Sequence, residues 1–206
     1  MKPVAKTKQN NLSLSTILPW LFIILGSIAL IASILLSVEV FNRLKNPGYM
    51  PPCNLSPILS CTDVADSPQS HIFGFPNYFL GIAAYGAVIT IGVAMLAGAK
   101  FKRWFWQAVQ ASMTFAFGFI TWLQFQSLYR IGALCLFCTI VWATTGPLFW
   151  YTTLYNLREG HIKTPPRLKS AAAFAQRHHS EILVVWFLII IGLILKRFWY
   201  YWSSLL

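Results

Sequence analysis

The four cysteines are the residues of this chain best suited to chemistry, and they occur in two pairs. Cys135 and Cys138 are three positions apart, so on a helix their thiols are neighbours within one turn. A cysteine near a helix N-terminus ionises more readily, which favours thiol–disulfide exchange. Cys53 and Cys61 lie in a polar segment that contains Pro57, and we expect this pair to be mobile and exposed to solvent. The spacing predicts a relay between a mobile pair and a fixed pair.

Two other interpretations of the cysteines remain open at this point. Both pairs could be inert disulfide staples, although a staple within one helical turn constrains the chain very little. A zinc site made of four thiolates is disfavoured, because one pair begins an apolar span and the other lies in a loop of different spacing. We therefore predict no metal site.

The elements that carry the cysteines are predicted to cross a membrane. Hydrophobic residues make up 57% of the 206 residues and charged residues only 10%, whereas soluble domains carry about 25% charge. This composition excludes a cytosolic enzyme and a disordered chain. Because roughly 20 apolar residues span a bilayer as a helix, we predict five transmembrane helices, at about 17–41, 77–98, 104–127, 134–155 and 182–202.

The distribution of lysine and arginine predicts the orientation of the spans. With the N-terminus inside, five basic residues fall outside, at Arg43, Lys45, Arg130, Lys196 and Arg197, the last two being expected to reach toward lipid headgroups. The other eleven of the 16 fall inside, at Lys2, Lys6, Lys8, Lys100, Lys102, Arg103, Arg158, Lys163, Arg167, Lys169 and Arg177. All four cysteines then lie at the outer side, where disulfides persist.

The predicted organisation has four parts. An inner basic tail covers residues 1–16, and a four-helix redox core covers 17–155, with an outer loop at 42–76. A basic inner linker, expected to meet anionic membrane lipid rather than nucleic acid, covers 156–181. A fifth transmembrane helix lies within 182–206. The fold class is thus an all-α membrane protein.

A lipid-soluble quinone is the predicted destination of the electrons. Thr139 follows Cys138, so the haem-attachment sequence C-x-x-C-H is absent, and no dinucleotide or flavin fingerprint occurs. Because the second cysteine pair begins an apolar span, the acceptor should be soluble in the membrane. We expect Cys138, one turn deeper than Cys135, to face it.

The motifs of the chain resemble those of the vitamin K epoxide reductases and their bacterial homologues. The resemblance extends from about residue 17 to residue 155, and the fifth span is similar to that of the five-helix bacterial branch. It rests on the following residues in order: Cys53-Asn54-Leu55-Ser56-Pro57-Ile58-Leu59-Ser60-Cys61, Ser67, Phe73-Gly74-Phe75-Pro76-Asn77, Gly81, Tyr85 and Cys135-Leu136-Phe137-Cys138.

This resemblance implies a four-helix bundle around a quinone, either menaquinone or ubiquinone, capped by the outer loop. It implies that Cys53 receives electrons from a thioredoxin-like protein acting in trans. Exchange between Cys61 and Cys135 would then carry the electrons to the second pair. The result in bacterial relatives is disulfide formation in exported proteins, which places the chain in a bacterial inner or plasma membrane with its cysteines extracytoplasmic.

The resemblance also suggests contacts with the quinone. Asn77 would hydrogen-bond a quinone carbonyl, and Phe73 and Ser67 would lie near the ring, although by residue type alone they are an interfacial aromatic and a capping hydroxyl. Trp142 stands where vertebrate members have a tyrosine, so ring stacking or helix packing replaces a hydrogen bond. Asn54 stands where the family often has aspartate, which leaves any role of that carboxylate in doubt.

Three rival functions are considered. Another bacterial quinone-linked thiol oxidase also has four helices, but its C-x-x-C is expected in the first outer loop. A non-catalytic membrane scaffold stapled by disulfides remains the alternative from a different class. A proton-coupled transporter is disfavoured, because no ionisable Asp, Glu, Lys, Arg or His falls in mid-span.

Overall fold

The chain forms eight α-helices, a 3-10 turn (Pro68–His71) and a π-helical turn (Ser127–Ile131) in the part that the computed structural model describes, namely residues 14–46, 48–162, 165, 167 and 169–203. Five are long: α1 (Leu14–Lys45), α3 (Tyr78–Leu96), α4 (Arg103–Gln126), α5 (Leu136–Arg158) and α7 (His179–Arg197). Three are short: α2 (Cys61–Asp66), α6 (Lys169–Arg177) and α8 (Trp199–Trp202). The predicted positions Lys2, Lys6, Lys8 and Lys163 lie outside the described residues, as does most of the predicted inner tail.

The predicted all-α membrane class is confirmed. Three helices, α1, α3 and α7, are long and apolar enough to cross a membrane by length and composition. The other two long helices, α4 and α5, contain more polar side chains, and several of these pair with each other. Gln110 of α4 donates to Thr153 Oγ1 at 2.9 Å and accepts from Asn156 Nδ2 at 2.9 Å. Hydrogen bonds of this kind satisfy polar groups between membrane helices.

The first four long helices share one apolar core. It combines Phe22 of α1, Val88 of α3, Met113 of α4 and Leu148 of α5, all of them buried. The 3.6-residue period brings such side chains to one face of each helix, and burying those faces against each other is what holds a bundle together. The predicted four-helix bundle is therefore present in the structure.

Close approach of α1 and α3 requires glycine at two positions. A Cβ built on Gly81 would lie 2.5 Å from Ser33 Oγ, and one on Gly92 would lie 2.9 Å from the backbone oxygen of Pro19. At Gly86, by contrast, no described atom lies within 4 Å of a built Cβ. Glycine at 81 and 92 thus fixes the distance between the two helices.

The fifth long helix packs against the bundle through an aromatic side chain. The ring of Trp186 in α7 lies against Gly146 of α5, where a Cβ would come within 2.5 Å of the indole. At the other end of α7, the guanidinium of Arg197 donates to the backbone oxygen of Leu128 at 2.8 Å. Arg197 therefore has a protein acceptor in addition to any headgroup that it reaches.

Candidate active site

Three of the four cysteine sulfurs meet in one buried cluster. Cys53 and Cys61 form a disulfide, and Cys135 Sγ lies 3.5 Å from Cys61 Sγ. The exposed fraction is 2% for Cys53 and Cys61 and 0% for Cys135. The prediction of a solvent-exposed loop pair is therefore wrong. Leu36, Val64 and Phe137 pack against the three cysteines and exclude water from them.

The loop disulfide is held in place by an amide side chain next to it. Asn54 Oδ1 accepts the backbone N–H of Cys61 at 2.9 Å and that of Thr62 at 3.3 Å, while its Nδ2 donates to Thr62 Oγ1 at 2.8 Å. Ser60 caps the same helix, α2, by accepting the N–H of Asp63 at 3.2 Å. The first N–H groups of a helix have no partner within it, and here two side chains supply the acceptors.

A short backbone bridge brings the loop to the second cysteine pair. The N–H of Leu134 donates to the oxygen of Ile58 at 2.8 Å, and the N–H of Ser60 donates to the oxygen of Leu134 at 2.9 Å. Each bridged segment continues directly into a cysteine, Cys61 after Ser60 and Cys135 after Leu134. The 3.5 Å separation of their sulfurs follows from this register.

The loop is also tied to the C-terminal end of α1. Arg43 forms an ion pair with Asp66, the last residue of α2. The hydroxyl of Tyr49 donates to Glu39 Oε2 at 2.7 Å, and this hydrogen bond raises the pKa of Tyr49 above its ordinary value. The phenol therefore stays protonated and remains a donor at neutral pH. Both contacts attach the loop to the same helix end.

The second cysteine pair differs from the expected arrangement on one helix. The backbone of Cys135 is extended and forms the N-cap of α5, and only Cys138 lies in the helix. The predicted start of this span at Leu134 is thus two residues early, because Leu134 is extended and pairs with the loop. The N–H of Cys138 donates to Cys135 Sγ at 3.5 Å. A sulfur at this position is stabilised as thiolate by the helix N-terminus.

A cavity of about 810 Å³ lies beside the sulfurs. Residues of α3 and α4 form nearly half of its walls, α1, the loop and α5 form the remainder, and most of the lining side chains are apolar. Cys61, Cys135 and Cys138 all line it, so the loop disulfide and both thiols face the same space. This volume falls within the range of small-molecule sites, roughly 300–1,000 Å³.

Three of the four predicted quinone-contacting residues line this cavity, namely Asn77, Ser67 and Trp142. Asn77 Nδ2 donates to the oxygen of Gln69 at 2.8 Å, and its Oδ1 is buried with no hydrogen-bond partner among the described residues. A buried polar atom without a partner costs about 1–3 kcal/mol. Asn77 therefore offers the cavity an acceptor that a bound molecule would satisfy.

Ser67 and Trp142 have structural partners as well. The hydroxyl of Ser67 donates to the oxygen of Val64 at 2.7 Å, so it caps the end of α2. Trp142 is 4% exposed and packs in an apolar cluster with Ile58 and Leu134. Both side chains therefore line the cavity and also help to hold the loop in position.

The fourth predicted contact, Phe73, is not among the residues that line the cavity. It is half-exposed, and its ring lies 5.5 Å from that of Phe119, which does line the cavity. No motif singled out Phe119, since one aromatic among many in an apolar span carries no sequence signal. His71 is exposed and also borders the cavity, where its Nδ1 lies within hydrogen-bonding distance of Ser70 Oγ.

Comparison with known proteins adds a family assignment to this geometry. The family model described as "Vitamin K epoxide reductase family" matches residues 20–153. The match covers well over half of the chain and contains all four cysteines and the residues of the cavity. No individual curated protein matches the chain.

Proposed function

The chain belongs to the vitamin K epoxide reductase family, and we propose that it is a membrane thiol:quinone oxidoreductase. It reoxidises a thioredoxin-like protein on the outer side of the membrane and thereby supports disulfide formation in exported proteins. Electrons pass from the loop cysteines to Cys135 and Cys138 and then to a quinone. The family suggests the general activity and the kind of partner, and the positions of the cysteines support the route.

One observation carries the proposal: Cys61 Sγ is bonded to Cys53 and also lies 3.5 Å from Cys135 Sγ, beside a cavity. Disulfide exchange requires a thiolate close to one sulfur of a disulfide. A purely structural disulfide between Cys53 and Cys61 does not require a third sulfur, that of Cys135, at this distance from Cys61 Sγ. A disulfide in the loop and thiols at Cys135 and Cys138 correspond to the state after the second pair has been reduced.

Electron transfer between the pairs proceeds by two exchanges. Reduction of the loop disulfide by the partner leaves thiols at Cys53 and Cys61 and a disulfide in the partner. The Cys61 thiolate then attacks Cys135 in an oxidised Cys135–Cys138 pair, forming the Cys61–Cys135 bond and releasing Cys138 as thiolate. Attack of Cys53 on Cys61 restores the loop disulfide and releases Cys135. Two electrons have then moved to the second pair.

The second pair reduces the acceptor in the cavity. When bound, a quinone, either menaquinone or ubiquinone, accepts two electrons and two protons. Cys135 and Cys138 lose these on forming their mutual disulfide, and both thiols line the cavity. The residues present fit such a molecule, because the walls are apolar and the side-chain amide of Asn77 can bind its head group. Nδ2 has a second hydrogen, beyond the one given to Gln69, that can donate to a quinone carbonyl, and Oδ1, which has no partner among the described residues, can accept from a quinol hydroxyl. Trp142 supplies an aromatic wall.

The location of the sites on the outer side is part of the proposal. Arg103 and Arg158 lie at one side of the bundle, at the start of α4 and the end of α5. The loop and all four cysteines lie at the other. The excess of basic residues on the first side favours a cytoplasmic location for it, so the cysteines face the extracytoplasmic space of a bacterial membrane.

Quinone reduction by the full chain in lipid nanodiscs tests the function. A reduced thioredoxin-like protein and a short-chain ubiquinone or menaquinone are added, and quinol is followed by absorbance. We expect turnover with the unchanged protein and none with Cys53→Ala or Cys135→Ala. A disulfide-stapled scaffold predicts no quinol in any sample and a loop disulfide that survives the reduced partner.

Capture of the partner provides a second readout. A thioredoxin-like protein whose second active-site cysteine is replaced by alanine cannot resolve a mixed disulfide. We expect it to remain bonded to Cys53, and mass spectrometry of the linked peptides identifies the residue. A link to Cys135 instead of Cys53 would contradict the proposed order of transfer.

A further inference from the structure

The end of the fifth long helix packs near Ile58 and Leu134, whose backbone hydrogen bond brings the two cysteine pairs together. Phe198 follows α7 and is 0% exposed, although the aromatic residues that follow it at 199 and 200 are about 60% exposed. It belongs to an apolar cluster that also contains Ile58 of the loop, Leu134 and Trp142. Phe198 thus lies in the same buried cluster as both partners of the backbone bridge.

Arg197 makes a second contact at the same place. Its Nε donates to the oxygen of Leu128 at 2.8 Å. Leu128 lies in a single π-helical turn, Ser127–Ile131, that connects α4 to the segment entering Leu134 and Cys135. Ser127, the first residue of this turn, also hydrogen-bonds through its hydroxyl to the oxygen of Ala133. Arg197 therefore contacts the turn that leads into the second cysteine pair.

We propose that Arg197 and Phe198 are positioning residues that set the exchange between Cys61 and Cys135. Phe198 fills the cluster behind Ile58 and Leu134, whose backbone bridge fixes the distance between the two sulfurs. Arg197 holds the turn before Leu134 through its hydrogen bond to Leu128. Both residues lie beyond the part of the chain matched by the family model, 20–153, so this is a contribution of the fifth helix to the site. The inference rests on the proposed function.

The geometric requirement of exchange gives the physical reason. A thiolate must approach the disulfide sulfur in line, and a displacement of about 1 Å in a reacting pair lowers its rate by up to about 100-fold. Replacing a buried phenylalanine by alanine leaves a cavity that neighbouring groups only partly fill. Loss of Phe198 therefore lets Ile58 and Leu134 shift relative to each other, and the sulfurs with them.

The test uses the full chain carrying Cys138→Ala, in which Cys135 has no neighbouring thiol on α5 and can bond only to the loop pair. Cys135 can then attack Cys61, which releases Cys53 as a thiol, and the reverse reaction restores the loop disulfide. Alkylation after acid quenching, followed by mass spectrometry, gives the ratio of the two linkages. This ratio reports the effective concentration of Cys135 at Cys61.

Adding Phe198→Ala should lower this ratio about 10-fold, whereas Trp199→Ala, which removes an exposed aromatic one residue later, should leave it unchanged. With Phe198→Leu in its place, the ratio should stay close to that of the Cys138→Ala chain. Arg197→Gln should lower the ratio by a smaller factor than Phe198→Ala, with Lys196→Gln as the control for loss of charge. These variants keep the inference testable if Phe198→Ala fails to fold.

Melting temperature is measured on every variant. A lower melting temperature with an unchanged linkage ratio would mean that Phe198 only stabilises the fold, and the inference would be overturned. An equal fall of the ratio in Trp199→Ala would overturn it too. Absence of any Cys61–Cys135 bond in Cys138→Ala itself would count against the proposed function instead, so the two failures are distinguishable.

Discussion

The sulfur cluster of Cys53, Cys61 and Cys135 at one rim of the helix bundle and the cavity wall beside it are built in different ways. At the rim, backbone bonds of Ile58, Ser60 and Leu134 and the amide of Asn54 set atomic positions. In the cavity wall, apolar side chains enclose a volume, and Asn77 supplies the partnerless acceptor. Sulfur exchange needs an alignment accurate to a fraction of an ångström, whereas a quinone ring is held mainly by shape. Changes at the rim should therefore have larger effects than changes in the wall.

The largest effect is expected for Cys135→Ser. Serine preserves the shape of the N-cap but is not a nucleophile toward disulfides, so quinone reduction by the partner should fall below detection. Quinol formation in nanodiscs measures it. Residual turnover above a few per cent would mean that electrons reach the cavity by a route that avoids Cys135.

The next largest effect is expected for Asn54→Ala. The change removes acceptors for two backbone N–H groups of α2, at a cost of about 1–2 kcal/mol in the stability of that segment. In the Cys138→Ala chain, the ratio of Cys61–Cys135 to Cys53–Cys61 linkages should fall about 10-fold. Asn54→Asp, which retains an acceptor oxygen at the position of Oδ1, should keep most of the ratio. An unchanged ratio in Asn54→Ala would show that the side-chain amide does not help to align the sulfurs of Cys61 and Cys135.

A smaller effect is expected for Asn77→Ala in the wall. Loss of one hydrogen bond to the head group, worth about 1 kcal/mol, should raise the KM for quinone about 5-fold. The linkage ratio in the Cys138→Ala chain should stay the same, because Asn77 takes no part in the bridge. Steady-state quinol formation and disulfide mapping measure the two quantities. A changed linkage ratio with an unchanged KM for quinone would show that Asn77 aligns the sulfurs and does not bind the quinone.

The smallest effect is expected for Phe73→Leu. Phe73 is half-exposed and touches the wall through Phe119, so the KM for quinone should change by no more than about 2-fold, since a conservative substitution at an exposed site is usually worth under 0.5 kcal/mol. Phe119→Leu provides the matched comparison, because that ring lines the cavity. An equal or larger effect at Phe73 would show that it approaches the bound molecule.

The sequence predicted the helices of the core well, because apolar stretches of about 20 residues and the motif around Cys135 and Cys138 are local patterns. Burial of Cys53 was not predictable in the same way. The loop between α1 and α3 has a polar composition. The side chains that bury its cysteines include Leu36 and Phe137, which are distant in sequence.

The burial of Phe198 at the end of the fifth helix was also not predictable from the sequence. Phe198 begins a run of aromatic residues typical of a membrane interface, and the run gives no sign that this one ring is buried among Ile58 and Leu134. Local composition predicts that a helix forms, and only the packing decides which of its faces is covered.

Disulfide mapping of the purified Cys138→Ala chain tests the central claim most directly. The account predicts a bond between Cys61 and Cys135 together with a free thiol at Cys53, in equilibrium with the loop disulfide. A chain in which Cys53–Cys61 alone persists, or in which Cys135 is bonded to Cys53, would contradict it.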